Sequence, residues 1–163
     1  MIKTITMHKI VPFDKQYQEE ICILMDQIQN EFEIPFRNPN GKQISDIADP
    51  ENLFWVALNE NRVVGTIGLT RINSCSGFLR HLFVVKENRG KGGVSQALLD
   101  TALAKATELN YESIYLGTMD QFRAAQKFYE KNRFRCIPKE TLPAEMPVSP
   151  VDTIFYCWKN ENA

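Results

Sequence analysis

The chain has 163 residues, with 19 Lys and Arg against 20 Asp and Glu, and 44% of its residues are hydrophobic. This length predicts a single domain over residues 1–163, and the average composition excludes disordered, fibrous and membrane proteins as classes. A net charge of −1 gives no general attraction to nucleic acid or to anionic membranes, so that affinity for phosphate requires a local site.

The cysteines and the first residues of the chain predict its compartment. There is no Cys-x-x-Cys pair and no histidine at metal-ligand spacing, which predicts reduced thiols and no metal site. The start of the chain lacks a long apolar segment with a small-residue cleavage site, and no segment approaches the length that spans a bilayer. We therefore expect a cytoplasmic protein. The four cysteines are Cys22, Cys75, Cys136 and Cys157.

The predicted elements begin with β structure. Residues 4–11 mix β-branched residues with rough alternation, which predicts a strand that ends at Pro12. Residues 14–32 carry apolar residues at helical spacing and predict an amphipathic helix. Prolines, asparagines and a glycine in residues 34–49 predict a loop with a short helical turn at 43–47.

Three strands are predicted in close succession after this loop. The apolar runs at 53–58 and 63–72 are separated by the polar residues 59–62, which predict a tight hairpin. A second polar turn at 73–77 leads into a strand over 78–85. Because the links are short, we expect these three strands to be antiparallel.

The second half of the chain alternates helices and strands. Its pattern predicts a helix over 94–110, a strand over 113–119, a helix over 120–132, a strand over 134–137, and, after a proline-rich linker, a last strand over 153–158. This order predicts an α/β fold, with a mixed, mainly antiparallel sheet and helices on both of its faces.

A glycine-rich loop, Arg89-Gly90-Lys91-Gly92-Gly93, lies between the predicted strand 78–85 and the predicted helix 94–110. Glycines let the backbone turn without a Cβ penalty, so that successive N–H groups can point outward at the positive end of the helix dipole. Arg89 and Lys91 add formal charge. The pattern predicts an anion site, and a phosphate-bearing cofactor is its natural occupant.

Residues 79–134 resemble the acetyl-CoA binding core of the GNAT family of N-acetyltransferases. The family's loop reads Arg or Gln, two residues, Gly, one residue, then Gly or Ala, and residues 89–94 are similar to it. A second family block, Ala-x-x-Phe/Leu-Tyr-Glu-Lys-x-Gly-Phe, is similar to residues 125–134. Two blocks in the family's order are more specific than either block alone.

Three positions depart from the family pattern. Val94 stands where the family prefers Gly or Ala, which changes the aim of the last amide donor. Arg133 replaces the glycine before Phe134, where a helix end needs a left-handed residue, and we expect Asn132 to adopt that conformation instead. Phe122 stands in place of an asparagine that contacts the cofactor in relatives, so that this hydrogen bond is absent here.

The resemblance implies that the fourth and fifth strands splay apart and that the pantetheine arm of acetyl-CoA lies in the gap. The edge of the fourth strand would bond the pantetheine amides through its backbone, and the glycine loop would hold the pyrophosphate. The implied cofactor-binding residues are Leu82, Phe83, Val84, Arg89, Gly90, Lys91, Gly92, Gly93, Val94 and Phe122.

The resemblance also implies the catalytic groups. Tyr129 matches the family's tyrosine, whose phenol protonates the leaving thiolate; the alternative is a half-buried tyrosine bonded to backbone. The position aligned with the family's catalytic glutamate is Phe78, so that assignment fails. His81, on the same strand, is the candidate base, directly or through water. A histidine satisfied in the core and a chain of waters are the alternatives.

The implied function is transfer of the acetyl group of acetyl-CoA to a primary amine of a small molecule or peptide, without a metal. Neither nucleic acid nor membrane is expected as a partner, and relatives often form homodimers, which the resemblance therefore allows here. A non-catalytic acyl-CoA binding or sensing module is the main alternative. A nucleotide or RNA contact is weakly supported, because the loop is not a GxxxxGK[ST] P-loop.

Overall fold

The computed structural model describes residues 8–36, 51–90 and 93–161. Within these ranges there are seven strands and three α-helices. The strands are β1 (His8–Pro12), β2 (Asn52–Asn59), β3 (Arg62–Asn73), β4 (Ser76–Val84), β5 (Ser113–Thr118), β6 (Arg135–Ile137) and β7 (Ile154–Lys159). The helices are α1 (Gln18–Gln29), α2 (Val94–Glu108) and α3 (Arg123–Lys131), and there are short 3-10 helices at Lys15–Tyr17, Lys86–Asn88 and Lys139–Thr141.

The strands form one mixed sheet in the order β1-β2-β3-β4-β5-β7-β6, which confirms the predicted α/β class. β1 pairs with β2, and β7 with both β5 and β6, in antiparallel fashion. The parallel pairing of β4 with β5 covers three residue pairs, from Ser76↔Ser113 to Phe78↔Tyr115. Because β4 continues to Val84 and β5 to Thr118, the two strands separate beyond Phe78, as expected for the splayed pair.

The residues group into two compact units, Met1–Gly68 with His81–Leu103, and Leu69–Arg80 with Ala104–Ala163. In the first unit, the buried face of α1 packs on β2 and β3. Residues 60 and 61 connect these two strands with φ of 51° and 67°, the left-handed pair of a type I′ turn, which confirms the predicted hairpin. The core of this unit contains Ile21, Leu24, Met25, Ile28, Phe54, Val56 and Val63.

The predicted helix start and loop in the first unit differ from the structure in detail. The helix predicted from residue 14 begins at Gln18, because Asp14 instead caps the preceding 3-10 turn by accepting the Gln16 N–H at 3.0 Å. The first four residues of the predicted strand 4–11 lie outside the described residues. The predicted helical turn at 43–47 also lies outside them.

In the second unit, α3 ends in a Schellman motif that corrects one sequence-based expectation. Arg133, not Asn132, is the left-handed residue, with φ of 70° against −97°. The Phe134 N–H donates to the Tyr129 carbonyl at 3.0 Å and the Arg133 N–H to the Glu130 carbonyl at 3.2 Å. This pair of bonds requires the left-handed residue directly before Phe134. Asn132 tolerates that conformation but lies one position too early to supply it.

Arg133→Gly should therefore stabilise the protein. A left-handed non-glycine residue costs about 1–2 kcal/mol, and the added freedom of glycine in the unfolded chain returns part of this gain. We expect the free energy of unfolding to rise by about 0.5–1 kcal/mol in urea denaturation. Arg133→Ala is the matched control, since it removes the same side chain without relieving the backbone. Equal stability of the two variants would contradict this reading of the helix end.

Within the described ranges, no helix has the length and apolar character needed to cross a membrane. The same residues hold no group of three or more His, Cys, Asp or Glu side chains placed to bind a metal ion.

Candidate active site

His81 bends the second half of β4. Its φ of 57° lies in the left-handed region, where histidine is one of the few non-glycine residues that are enriched. The His81 carbonyl accepts a hydrogen bond from Thr66 Oγ1 at 2.6 Å, which holds the bend against β3. A left-handed residue within a strand is typical of a β-bulge, which redirects the backbone groups that follow it. Leu82, Phe83 and Val84, the predicted pantetheine-binding residues, come directly after this bend.

The imidazole of His81 lies among aromatic rings. Its centroid is 6.0 Å from that of Phe54 and 6.3 Å from that of Phe83, and Phe83 in turn stacks on Phe36 at 5.2 Å. These contacts agree with a packing role for the ring. Its role as a base stays a prediction.

At two positions, the glycine loop has a left-handed backbone conformation that only glycine adopts easily. Gly90 and Gly93 have φ of 68° and 67°, and an added Cβ at either would meet no atom within 4 Å. The requirement is therefore conformational and does not come from crowding. Lys91 and Gly92, both predicted to bind the cofactor, lie outside the described residues.

Helix α2 begins directly after this loop. The Ala97 N–H donates to the Gly93 carbonyl at 2.8 Å, which is the first backbone bond of the helix. Val94 is 2% exposed, so that it anchors the helix start in the core, and this explains why a larger residue replaces the family's Gly or Ala. The N–H groups of a first helical turn have no acceptor within the helix and carry the positive end of its dipole. The loop and helix start can therefore receive an anion.

Arg89 is engaged within the first unit. Its Nε donates to the Val84 carbonyl at 2.7 Å, and its two terminal nitrogens donate to the Glu31 carboxylate at 2.6 and 2.7 Å. The sequence assigned the charge of Arg89 to the anion site, whereas the structure shows that this charge is shared with Glu31. The side chain fixes the start of the loop, and the backbone amides of the helix start contribute positive potential there.

This ion pair predicts a pH dependence of stability. The hydrogen bond from Arg89 holds the pKa of Glu31 below its ordinary value. A lowered folded-state pKa stabilises the fold above the unfolded-state pKa, and the contribution disappears as the pH falls through the folded-state value. We expect Glu31→Gln to lower the free energy of unfolding by about 1 kcal/mol at neutral pH.

Urea denaturation from neutral to acid pH checks this expectation, since the difference between wild type and Glu31→Gln should vanish in acid. Glu33→Gln, an exposed neighbour, is the matched control and should show no such difference. A loss of equal size at every pH would mean that Glu31 acts other than through its charge.

Tyr129 lies in the second unit and is 7% exposed. Its ring contacts those of Phe128, Phe134 and Tyr156, with centroids 5.7 to 6.0 Å apart. Burial raises the pKa of the Tyr129 phenol, and the charges of Asp152 and Tyr156 raise it further. The phenol therefore stays protonated at neutral pH with a proton to donate. Among the described residues, no backbone group is hydrogen-bonded to this hydroxyl, and the role of Tyr129 as the acid stays a prediction.

Phe122 occupies the N-cap position of α3 and is half-buried. Its carbonyl accepts the Gln126 N–H at 3.1 Å, and no side-chain bond caps the helix there. Any contribution of Phe122 to cofactor binding would thus come through its ring or its backbone.

Asp152 was not recognised from the sequence. Its half-buried side chain packs over Gly117, near the end of β5, where an added Cβ would lie 2.7 Å from Asp152 Oδ2. A glycine inside a strand pattern often marks such a close approach, which was the available signal. Nearby, the Tyr156 hydroxyl donates to Glu130 Oε1 at 3.2 Å, and burial is the main cause that raises the pKa of Tyr156 to about 12.

Known proteins resemble the chain over most of its length. The family model described as the acetyltransferase (GNAT) family matches residues 19–134. The chain is 34% identical over 89 residues to N-acetyltransferase 8B of Homo sapiens, covering 50% of this chain and 38% of that protein. It is 28% identical over 132 residues to N-alpha-acetyltransferase 30 of Schizosaccharomyces pombe, covering 78% and 84%. The match thus spans little more than a third of the human relative's length.

Solved structures agree. A GNAT-family acetyltransferase from Staphylococcus aureus is 34% identical with a TM-score of 0.84, and the alignment covers 94% of this chain and 99% of that one. A GNAT-family acetyltransferase from Elizabethkingia anophelis, with acetyl-CoA bound, is 17% identical with a TM-score of 0.63, covering 94% and 98%. The second likeness concerns the fold alone.

Proposed function

Because the chain belongs to the acetyltransferase (GNAT) family, we propose that it transfers the acetyl group of acetyl-CoA to a primary amine of a small molecule or peptide. The observation that carries the proposal is the start of α2, where Gly90 and Gly93 are left-handed and the N-terminus of a 15-residue helix follows. Helix N-termini preceded by glycine turns bind pyrophosphate through backbone N–H groups.

The bent end of β4 supports a second part of the cofactor site. Backbone groups of Leu82, Phe83 and Val84 follow the bend at His81, and the pairing of β4 with β5 ends before them, at Phe78. Extended backbone of this kind bonds amides of a ligand as if the ligand were a further strand. We propose that these residues bind the pantetheine arm, and that one N–H stabilises the charge developing on the acetyl oxygen.

The remaining requirements are two proton transfers. Acetyl-CoA supplies the acetyl group as a thioester, and its thiolate must gain a proton as it leaves. Tyr129, protonated and buried, is the group that we propose donates this proton. The acceptor must lose a proton to become a nucleophile, and the sequence leaves the base open between His81 and water.

The relatives support a nitrogen acceptor, since the two curated relatives described above are named as an N-acetyltransferase and an N-alpha-acetyltransferase. We further propose a cytoplasmic location, an amine of a small molecule or peptide as the acceptor, and the homodimer that the resemblance allows.

Two measurements test the proposed function. Acetyl-CoA should raise the melting temperature in a concentration-dependent manner, because it binds the native state preferentially. CoA release should then be followed against polyamines, aminoglycosides, amino acids and peptide N termini. A larger stabilisation by ATP or NAD would reject the cofactor assignment. Stabilisation by acetyl-CoA without transfer to any amine would instead favour a sensing module.

A further inference from the structure

The turn before β7 holds Asp152 in a defined position. The Asp152 N–H donates to the Ser149 carbonyl at 3.1 Å, and the next residue, Thr153, donates its N–H to the Thr118 carbonyl at 3.0 Å. The side chain lies over Gly117, where a Cβ would also come within 3.1 Å of Asp152 Cβ. A backbone tied at both sides and a glycine that makes room place the carboxylate at the end of β5.

The carboxylate of Asp152 has no compensating partner in the described part of the chain. No cation and no hydrogen-bond donor contacts it there, and burial is the cause that raises its pKa. A carboxylate partly withdrawn from water without a partner lowers stability. Such groups occur in native proteins where a ligand or a reaction uses them. The ligand that compensates a lone carboxylate is a cation.

The surroundings of Asp152 suit an amine. An open groove of about 420 Å³ is lined by residues 136–139 and 152–155, a volume adequate for a small molecule or a chain end. Its titratable lining groups besides Asp152 are Cys136 and Lys139. Asp152 is also close enough to Tyr129, the proposed acid, for its charge to act on the phenol.

We propose that Asp152 receives the ammonium group of the acceptor and removes its proton, so that the neutral amine can attack the acetyl carbon. This inference rests on the proposed function. The proton of the ammonium passes to Asp152 and then to water. The C–N bond forms and the C–S bond breaks. Tyr129 gives its proton to the thiolate, and the second proton lost by nitrogen returns to the Tyr129 phenolate, directly or through water.

Asp152→Asn tests the proposal, because it preserves size and removes the charge. The assay is CoA release with the panel amine that the wild-type protein acetylates fastest. We expect kcat/KM at neutral pH to fall by about 100-fold, while acetyl-CoA affinity measured by calorimetry changes by less than about twofold. Glu140→Gln, an exposed carboxylate in the neighbouring 3-10 turn, is the matched control and should leave both unchanged.

The pH profile separates a base from a structural residue. Below the pKa of the amine, kcat/KM of the variant should rise about tenfold per pH unit, because only the neutral amine reacts, whereas the wild type should stay nearly flat. Tyr129 and Tyr156 also face this region, but their raised pKa values keep them protonated through this range. Asp152→Asn should also melt at a higher temperature than wild type, since it relieves an unpaired carboxylate.

Three results would overturn the assignment. They are a variant within about threefold of wild-type kcat/KM, a loss that is the same at every pH, and the pH-dependent loss in His81→Asn instead. In each case the wild type still transfers acetyl groups, so that the proposed function survives. A wild type that acetylates no amine rejects both.

Discussion

Tyr129→Phe should reduce acetyl transfer by about 100-fold or more and leave acetyl-CoA affinity within about twofold of wild type. The variant removes one oxygen and retains the ring contacts with Phe134 and Tyr156. Because the leaving thiolate then has no proton donor at that position, kcat should fall more than KM changes. Steady-state CoA release and calorimetry with acetyl-CoA measure the two effects separately.

Tyr156→Phe is the matched control for this variant. It also removes a hydroxyl from a buried tyrosine of the second unit, and it breaks the bond to Glu130, so that stability should fall by about 1 kcal/mol. Transfer should stay near wild type. An active Tyr129→Phe protein would exclude Tyr129 as the acid. A protein that binds acetyl-CoA but transfers nothing even in its wild-type form would favour the sensing alternative.

Gly93→Val should weaken acetyl-CoA binding by about tenfold or more. A β-branched residue at φ of 67° costs at least about 1–2 kcal/mol, and relief of this cost by a change of φ moves the first turn of α2. That movement redirects the amides that we propose hold the pyrophosphate. Calorimetry with acetyl-CoA gives the affinity, and the melting temperature without ligand gives the effect on the fold.

Gly93→Asn separates conformation from other effects, since asparagine tolerates the left-handed region. It should bind acetyl-CoA much better than Gly93→Val does. If both variants bound acetyl-CoA with wild-type affinity, the pyrophosphate would bind at a different place.

Local sequence signals were sufficient for most of the fold. The pair Glu60-Asn61 lies between two apolar runs, and Gly90 and Gly93 lie between a strand and a helix, so that turn and helix start are encoded by adjacent residues. The family blocks added the order of the elements and the identity of Tyr129. The sequence predicted a left-handed residue at the end of α3, but the hydrogen-bond geometry places it at Arg133 and not at Asn132.

The parts that were not predicted depend on long-range contacts or on backbone strain. Glu31 and Arg89 are 58 residues apart, and nothing local links them. Asp152 acquires its position from Thr118 and Gly117, far away in the sequence. His81 is left-handed within an apolar strand, where neither hydropathy nor propensity indicates a bend. Each of these features requires the folded chain.

The sheet ends at β6, which has only three residues and two exposed side chains, Arg135 and Cys136. A strand from another molecule could form few backbone hydrogen bonds with this short edge strand, and the charge of Arg135 lies beside them. Short edge strands with charged side chains protect a sheet against edge-to-edge aggregation. At that border the protein should therefore resist polymerisation in concentrated solution.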